Sequence, residues 1–153
     1  MERLIIQASK DHFSQIENFV RAICDVNYIS NYYATISVPV LKAAELAFHV
    51  NPVSQIIIIF EHCRGGVRFT IQAGSPCFEM PLSSEIPPSG SEEESLYLVK
   101  ILTDQMSVLD NGCDLQMTFY LMGIDFCEAA YRVQVLKNYY AEQRRCFMEL
   151  VEG

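Results

Sequence analysis

The sequence predicts an α+β two-layer sandwich, a mixed or antiparallel sheet with helices on one face, plus an added C-terminal helix. Three observations predict it. The strand-like segments come largely as two hairpins rather than singly between helices, which argues against a doubly wound parallel sheet. The segments between them carry apolar residues at helical spacing. The chain has 153 residues, of which 50% are hydrophobic and 20% charged, enough for one domain with its own core.

The elements follow in order. Residues 3–8 read as a first strand. Ser9 or Asp11 is placed to cap a helix in which Phe13, Ile16, Phe19, Val20 and Ile23 share one face. Asn27 to Asn31 is a connection. A second helix is expected from Ser37 to Val50, with Ser37 as N-cap and Pro39 in the first turn, where a missing N–H costs little. Asn51-Pro52 ends it. Gln55 to His62 and Val67 to Gln72 form a hairpin about Arg64-Gly65-Gly66, and the run Ile56 to Ile59 suggests a strand with apolar cover on both faces.

From Gly74 to Glu92 the composition shifts to Pro76, Pro81, Pro87, Pro88 and Ser89-Gly90-Ser91, which reads as a long irregular surface loop. A third helix is expected from Glu92 to Met106, its acidic start suited to the helix dipole. Ser107 to Leu109 and Leu115 to Leu121 make a second hairpin about Asp110-Asn111-Gly112. The last helix is expected over 125–150, with Phe126, Ala129, Ala130, Val133, Leu136, Tyr140, Phe147 and Leu150 on one apolar stripe.

The bulk properties exclude some functions. The formal net charge is -8, from 19 acidic and 11 basic residues. An acidic chain lacks the basic footprint of a nucleic-acid binder and has no charge attraction to anionic lipid. The apolar run Leu4 to Ile6 is too short for a signal-peptide core, so a cytoplasmic location is expected. The six cysteines form no CxxC pair and do not cluster with the three histidines. They read as reduced, mostly buried thiols rather than a metal or redox site. No phosphate-binding P-loop, serine-hydrolase elbow or zinc-protease helix motif is present.

Several phrases resemble the GHKL ATPase superfamily of gyrase, histidine kinases and MutL, most closely its anti-sigma-factor serine kinases. In that family a helix carries a phrase like E-A-x-x-N-A-x-x-H-G, a strand leads into D-x-G-x-G, and G-x-G-L opens a helix after a mobile lid. Here the first phrase aligns on Leu41 to His49, the second on Gln72 to Pro76, and the third on Glu93 to Leu96. The closing hairpin aligns on Asp110 to Leu121. The resemblance covers roughly residues 3–121. It implies a Bergerat-like ATPase domain over 1–123. Residues 124–153 then form a helical extension, packed on that domain or used for association, including association of two copies.

The resemblance also implies a degenerate nucleotide site. The magnesium-holding Asn is replaced by Glu45, a carboxylate still able to bind that metal. The general-base position is Leu41, which cannot accept a proton. Gln72 stands at the adenine-binding Asp, with a carbonyl able to accept one hydrogen bond. Gly74 keeps one motif glycine, and Pro76 replaces the next. His49 matches the helix phrase, and Asp114 replaces a family Thr near the adenine. Glu93 and Ser95 replace the glycines that let backbone N–H groups reach the phosphates. A carboxylate pair held at about 4 Å repels by on the order of 4 kcal/mol before salt screening, so Glu92, Glu93 and Glu94 oppose an anion there. The implied function is a non-catalytic regulatory protein of bacterial signalling or transcription control. Its partner would be a protein: a sigma factor, a STAS-type antagonist or a response regulator. No cofactor is expected. The alternative is an ATP-dependent serine kinase using Glu45 for magnesium and Gln72 for adenine.

Overall fold

The structure, a computed structural model, describes residues 1–52, 55–80, 87, 91–121 and 126–152. It divides into two compact units, Met1–Met122 and Gly123–Gly153. The first holds strand β1 (Glu2–Gln7), helices α1 (His12–Val26) and α2 (Tyr33–Val50), strands β2 (Gln55–Cys63) and β3 (Gly66–Gln72), helix α3 (Glu92–Leu102), and strands β4 (Gln105–Leu109) and β5 (Asp114–Tyr120). The five strands form one sheet in the order β1-β2-β3-β5-β4, and every pairing is antiparallel. The second unit holds helix α4 (Phe126–Glu152). This is the α+β two-layer architecture with an added C-terminal helix that the sequence predicts.

The pleat explains the core. Ile56, Ile58 and Phe60 of β2 point to one face, as do Val67, Phe69 and Ile71 of β3 and Leu115, Met117 and Phe119 of β5, and all are buried. Register lines them up across the sheet: Ile58 opposite Ile71, Phe60 opposite Phe69, and Phe69 opposite Met117. Ile16 and Val20 of α1, Ile36, Val40 and Ala44 of α2, and Leu96 and Val99 of α3 join the same cluster. Helix α2 packs against both α1 and α3. Ile57 and Ile59, on the other side of β2, are half-buried, which accounts for an uninterrupted isoleucine run.

The structure moves several boundaries. Helix α2 begins at Tyr33, after a single 3-10 turn over Ser30–Tyr32, so Ser37 is a buried interior residue and not a cap. Pro39 lies inside the helix. An interior proline costs about 3 kcal/mol. Ile36 to Leu41 are all buried, and packing on that scale outweighs the lost hydrogen bond. Helix α3 stops at Leu102, four residues before the expected end. Thr103 closes it, its hydroxyl donating to the Val99 carbonyl at 2.8 Å. Met106 belongs instead to β4, facing Met117. The Asp104 carboxylate accepts the Tyr120 N–H at 2.6 Å and ties the turn to β5.

Helix α1 ends in a Schellman motif. The Ile29 N–H donates to the Cys24 carbonyl at 2.8 Å, and the Tyr28 N–H to the Asp25 carbonyl at 3.3 Å. The left-handed position is filled by Tyr28, at φ 58, where glycine is usual. Ile29 is buried behind it, while Tyr28 is 93% exposed. The cysteines correct the expectation of mostly buried thiols. Cys24 is buried, Cys63, Cys77 and Cys113 are half-buried, and Cys146 is exposed.

Candidate functional site

Helix α2 presents Lys42, Glu45 and His49 along one face, by their spacing of three and four residues. The Lys42 ammonium lies 3.4 Å from the Glu45 carboxylate. That carboxylate, which the resemblance would align with a magnesium-holding position, here sits beside a lysine. His49 is exposed in the last turn. Leu41 points elsewhere: it is 5% exposed and belongs to the core cluster. Among the described residues no group of three or more His, Cys, Asp or Glu is placed to hold a metal ion.

Strand parity separates two further residues from that helix. Gln72 and Asp114 are register partners across β3 and β5. They alternate with the core residues Ile71 and Leu115, so the pleat sends them to the face away from α2. Burial, and then the neighbouring Asp110, push the Asp114 carboxyl above the usual carboxylate range. The structure therefore brings Lys42, Glu45 and His49 together, and Gln72 with Asp114, but it puts the two sets on opposite sides of the sheet.

The sequence predicts a surface loop from Gly74 to Glu92, but the start of that segment is fastened to the turn before β5. Ala73 donates its N–H to the Cys113 carbonyl at 2.9 Å. Cys77 and Phe78 both donate to the Gly112 carbonyl, at 2.9 and 3.0 Å. Phe78 is 5% exposed and joins the core. Gly112 permits the approach, since a Cβ there would meet the Phe78 carbonyl oxygen at 2.7 Å. The Cys77 thiol lies 4.0 Å from the Ala47 carbonyl of α2. Gly74 turns the chain at φ +76, with open space where a Cβ would sit. The remainder of the expected loop, residues 81–86 and 88–90, lies outside the described residues.

The start of α3 is capped from within. The Ser91 hydroxyl accepts the Glu94 N–H at 3.1 Å. That N–H is one of the donors an anion at this helix end would use. Glu93 is exposed, and Glu94 and Ser95 are half-buried. The sequence carried a signal for this cap in Ser91-Glu92-Glu93-Glu94, a serine followed three residues later by glutamate. Phe78 gave no such signal, being a single aromatic in a proline-rich stretch.

Comparison with known proteins adds no family. No family model matches the chain, and no curated protein matches it. Among the described residues no helix is long and apolar enough to cross a membrane.

Proposed function

We propose that this protein is a non-catalytic regulatory module of the anti-sigma-factor kinase type. It works in the cytoplasm by binding a protein partner, such as a sigma factor, a STAS-type antagonist or a response regulator. The observation that carries the reading is the burial of Leu41 in the core. A side chain there neither accepts a proton nor faces a substrate.

Three further features support it. Glu45 is engaged by Lys42. The first turn of α3 spends an N–H on Ser91 and carries Glu93 and Glu94 where phosphates would sit. Gln72 lies across the sheet from the α2 residues. These residues do not fit a magnesium nucleotide held in the family's manner, so no step of a phosphoryl transfer is derived through one.

Thermal unfolding in the presence of Mg-ADP and Mg-ATP tests the reading. A ligand at a hundred times its Kd adds about 2.7 kcal/mol of stability, a readily measured shift. The expected result is no saturable shift up to millimolar nucleotide. A saturable shift at micromolar nucleotide would replace the reading with the ATP-dependent serine kinase.

A further inference from the structure

The sequence scatters its cysteines, and the fold brings two of them together. Residues 73–78 wrap the turn before β5, so that Cys113 is held from two sides. Ala73 donates its N–H to the Cys113 carbonyl at 2.9 Å, and Cys77 and Phe78 donate theirs to the Gly112 carbonyl at 2.9 and 3.0 Å. Those last two N–H groups flank the Cys77 Cα, and the carbonyl they share is bonded directly to the Cys113 nitrogen. Standard peptide dimensions then place the Cys77 and Cys113 Cα atoms no more than about 7 Å apart. That is within the separation a disulfide can span.

Both thiols are half-buried, within reach of a small oxidant and shielded from a second protein. The Cys77 sulfur lies 3.5 Å from the Ser75 hydroxyl and 4.0 Å from the Ala47 carbonyl of α2. Other cysteines are placed differently. Cys24 is buried and Cys146 is exposed. Cys63 stands opposite Gly66, at the far end of β3 from this turn.

The surroundings give the two sulfurs different parts. Burial first, then the Asp110 and Asp114 carboxylates and Cys77 itself, push the Cys113 thiol above its ordinary value. A thiol held protonated meets an oxidant slowly. Cys77 is therefore the sulfur oxidised first, and Cys113 is the one that resolves it.

We propose that Cys77 and Cys113 form a peroxide-responsive switch, closing to a disulfide that locks residues 73–78 onto the turn before β5. Hydrogen peroxide transfers one oxygen atom to the Cys77 sulfur, giving a sulfenic acid and one water. The Cys113 sulfur then attacks the Cys77 sulfur, the S–O bond breaks, and a second water leaves with the Cys113 proton. Two thiols and one peroxide become one disulfide and two waters. Two glutathione thiols reverse the change by exchange and end as glutathione disulfide. In a compartment that keeps thiols reduced, such a disulfide is transient and senses oxidant. The switch uses neither Leu41 nor any aligned nucleotide position, so the nucleotide titration and the experiment below fail independently.

The full chain carrying Cys146→Ser, which removes the exposed thiol that could link two copies, is treated with hydrogen peroxide. Remaining thiols are alkylated, and the linked peptides are sequenced by tandem mass spectrometry. The expected product joins Cys77 to Cys113 within one chain and is lost on adding dithiothreitol. Its closed loop is on the order of 40 residues, so the oxidised protein should melt about 5 °C or more above the reduced one. Adding Cys77→Ser or Cys113→Ser should abolish both the link and the rise, and adding Cys63→Ser should leave both in place. With Cys113→Ser, dimedone should trap a sulfenic acid on Cys77. Recovery of Cys77 and Cys113 separately alkylated after peroxide treatment overturns the proposal. So does a link to any other cysteine in their place, or a Cys77–Cys113 disulfide that leaves Tm unchanged.

Discussion

Leu41→Glu introduces the carboxylate that the resembled family carries at the aligned position, and the structure predicts that it unfolds the protein. Leu41 is 5% exposed, within the cluster shared by the helices and the sheet. Losing a buried leucine's apolar surface costs about 2–3 kcal/mol. A glutamate in a dry site titrates near pH 8 against about 4.3 in the unfolded chain, so keeping it neutral at pH 7 costs about 4 kcal/mol more. The sum, about 6 kcal/mol, is comparable with the whole stability of an ordinary domain. The sign with pH follows from the raised folded value. Between the two values the folded state holds a proton that the unfolded state releases, so the variant loses stability as pH rises and regains it toward pH 4. Urea unfolding followed by circular dichroism at pH 5 and pH 7.5 measures both effects, with Leu41→Met as the volume-conserving control at less than about 1.5 kcal/mol. A Leu41→Glu protein with an unchanged urea midpoint, or one that gains nucleotide turnover, would refute the reasoning by placing Leu41 at an open site.

Three other outcomes are expected. Tyr28→Gly should stabilise the protein by about 0.5–1 kcal/mol, because a 93% exposed side chain loses no packing while the left-handed backbone is relieved; differential scanning calorimetry would show a rise of about 1–4 °C. Asp114→Asn should raise stability at neutral pH, because burial and Asp110 lift the folded carboxyl above its unfolded value. The gain should vanish on acidification, as the native carboxyl becomes protonated on falling through its raised value and then the usual one, and urea midpoints against pH would trace it. Ellman's reagent should modify Cys146 quickly and Cys24 only on unfolding, since Cys146 is exposed while burial pushes the Cys24 thiol up to about 11.

Much of the fold was legible because local signals and burial agree. Asp110-Asn111-Gly112 announces a tight turn, and Asp110 and Asn111 adopt the positive φ values such turns require. The alternation in Val67 to Gln72 names its own buried face. The misplaced boundaries are cases where tertiary packing overrode a local signal. Ser37 followed by Pro39 is a good helix start in isolation, yet the preceding turn is helical because Ile36 has a core to enter. Met106 continues the helical spacing of α3, but Met117 across the sheet claims it for β4. Tyr28 occupies a glycine's place, yet the end of α1 at Val26 was legible, because the connection was read from Asn27.

The candidate site was legible as a set of positions but not as a place. A phrase alignment orders residues along the chain, whereas the side of a strand on which a residue stands depends on parity, and one step decides it. Gln72 follows Ile71, whose burial at 0% fixes the core-facing parity of β3. Asp114 precedes Leu115, fixed in the same way on β5. Both side chains therefore leave the layer that holds Leu41 and Glu45, whatever their chemistry would allow. The anchoring of Phe78 beside Gly112 acts in the same direction. Its ring is in the core, and two of its segment's N–H groups are bound to one carbonyl. Substituting the resembled family's motif residues at these positions would not gather them into one site, because strand parity sends Gln72 and Asp114 to the face away from α2.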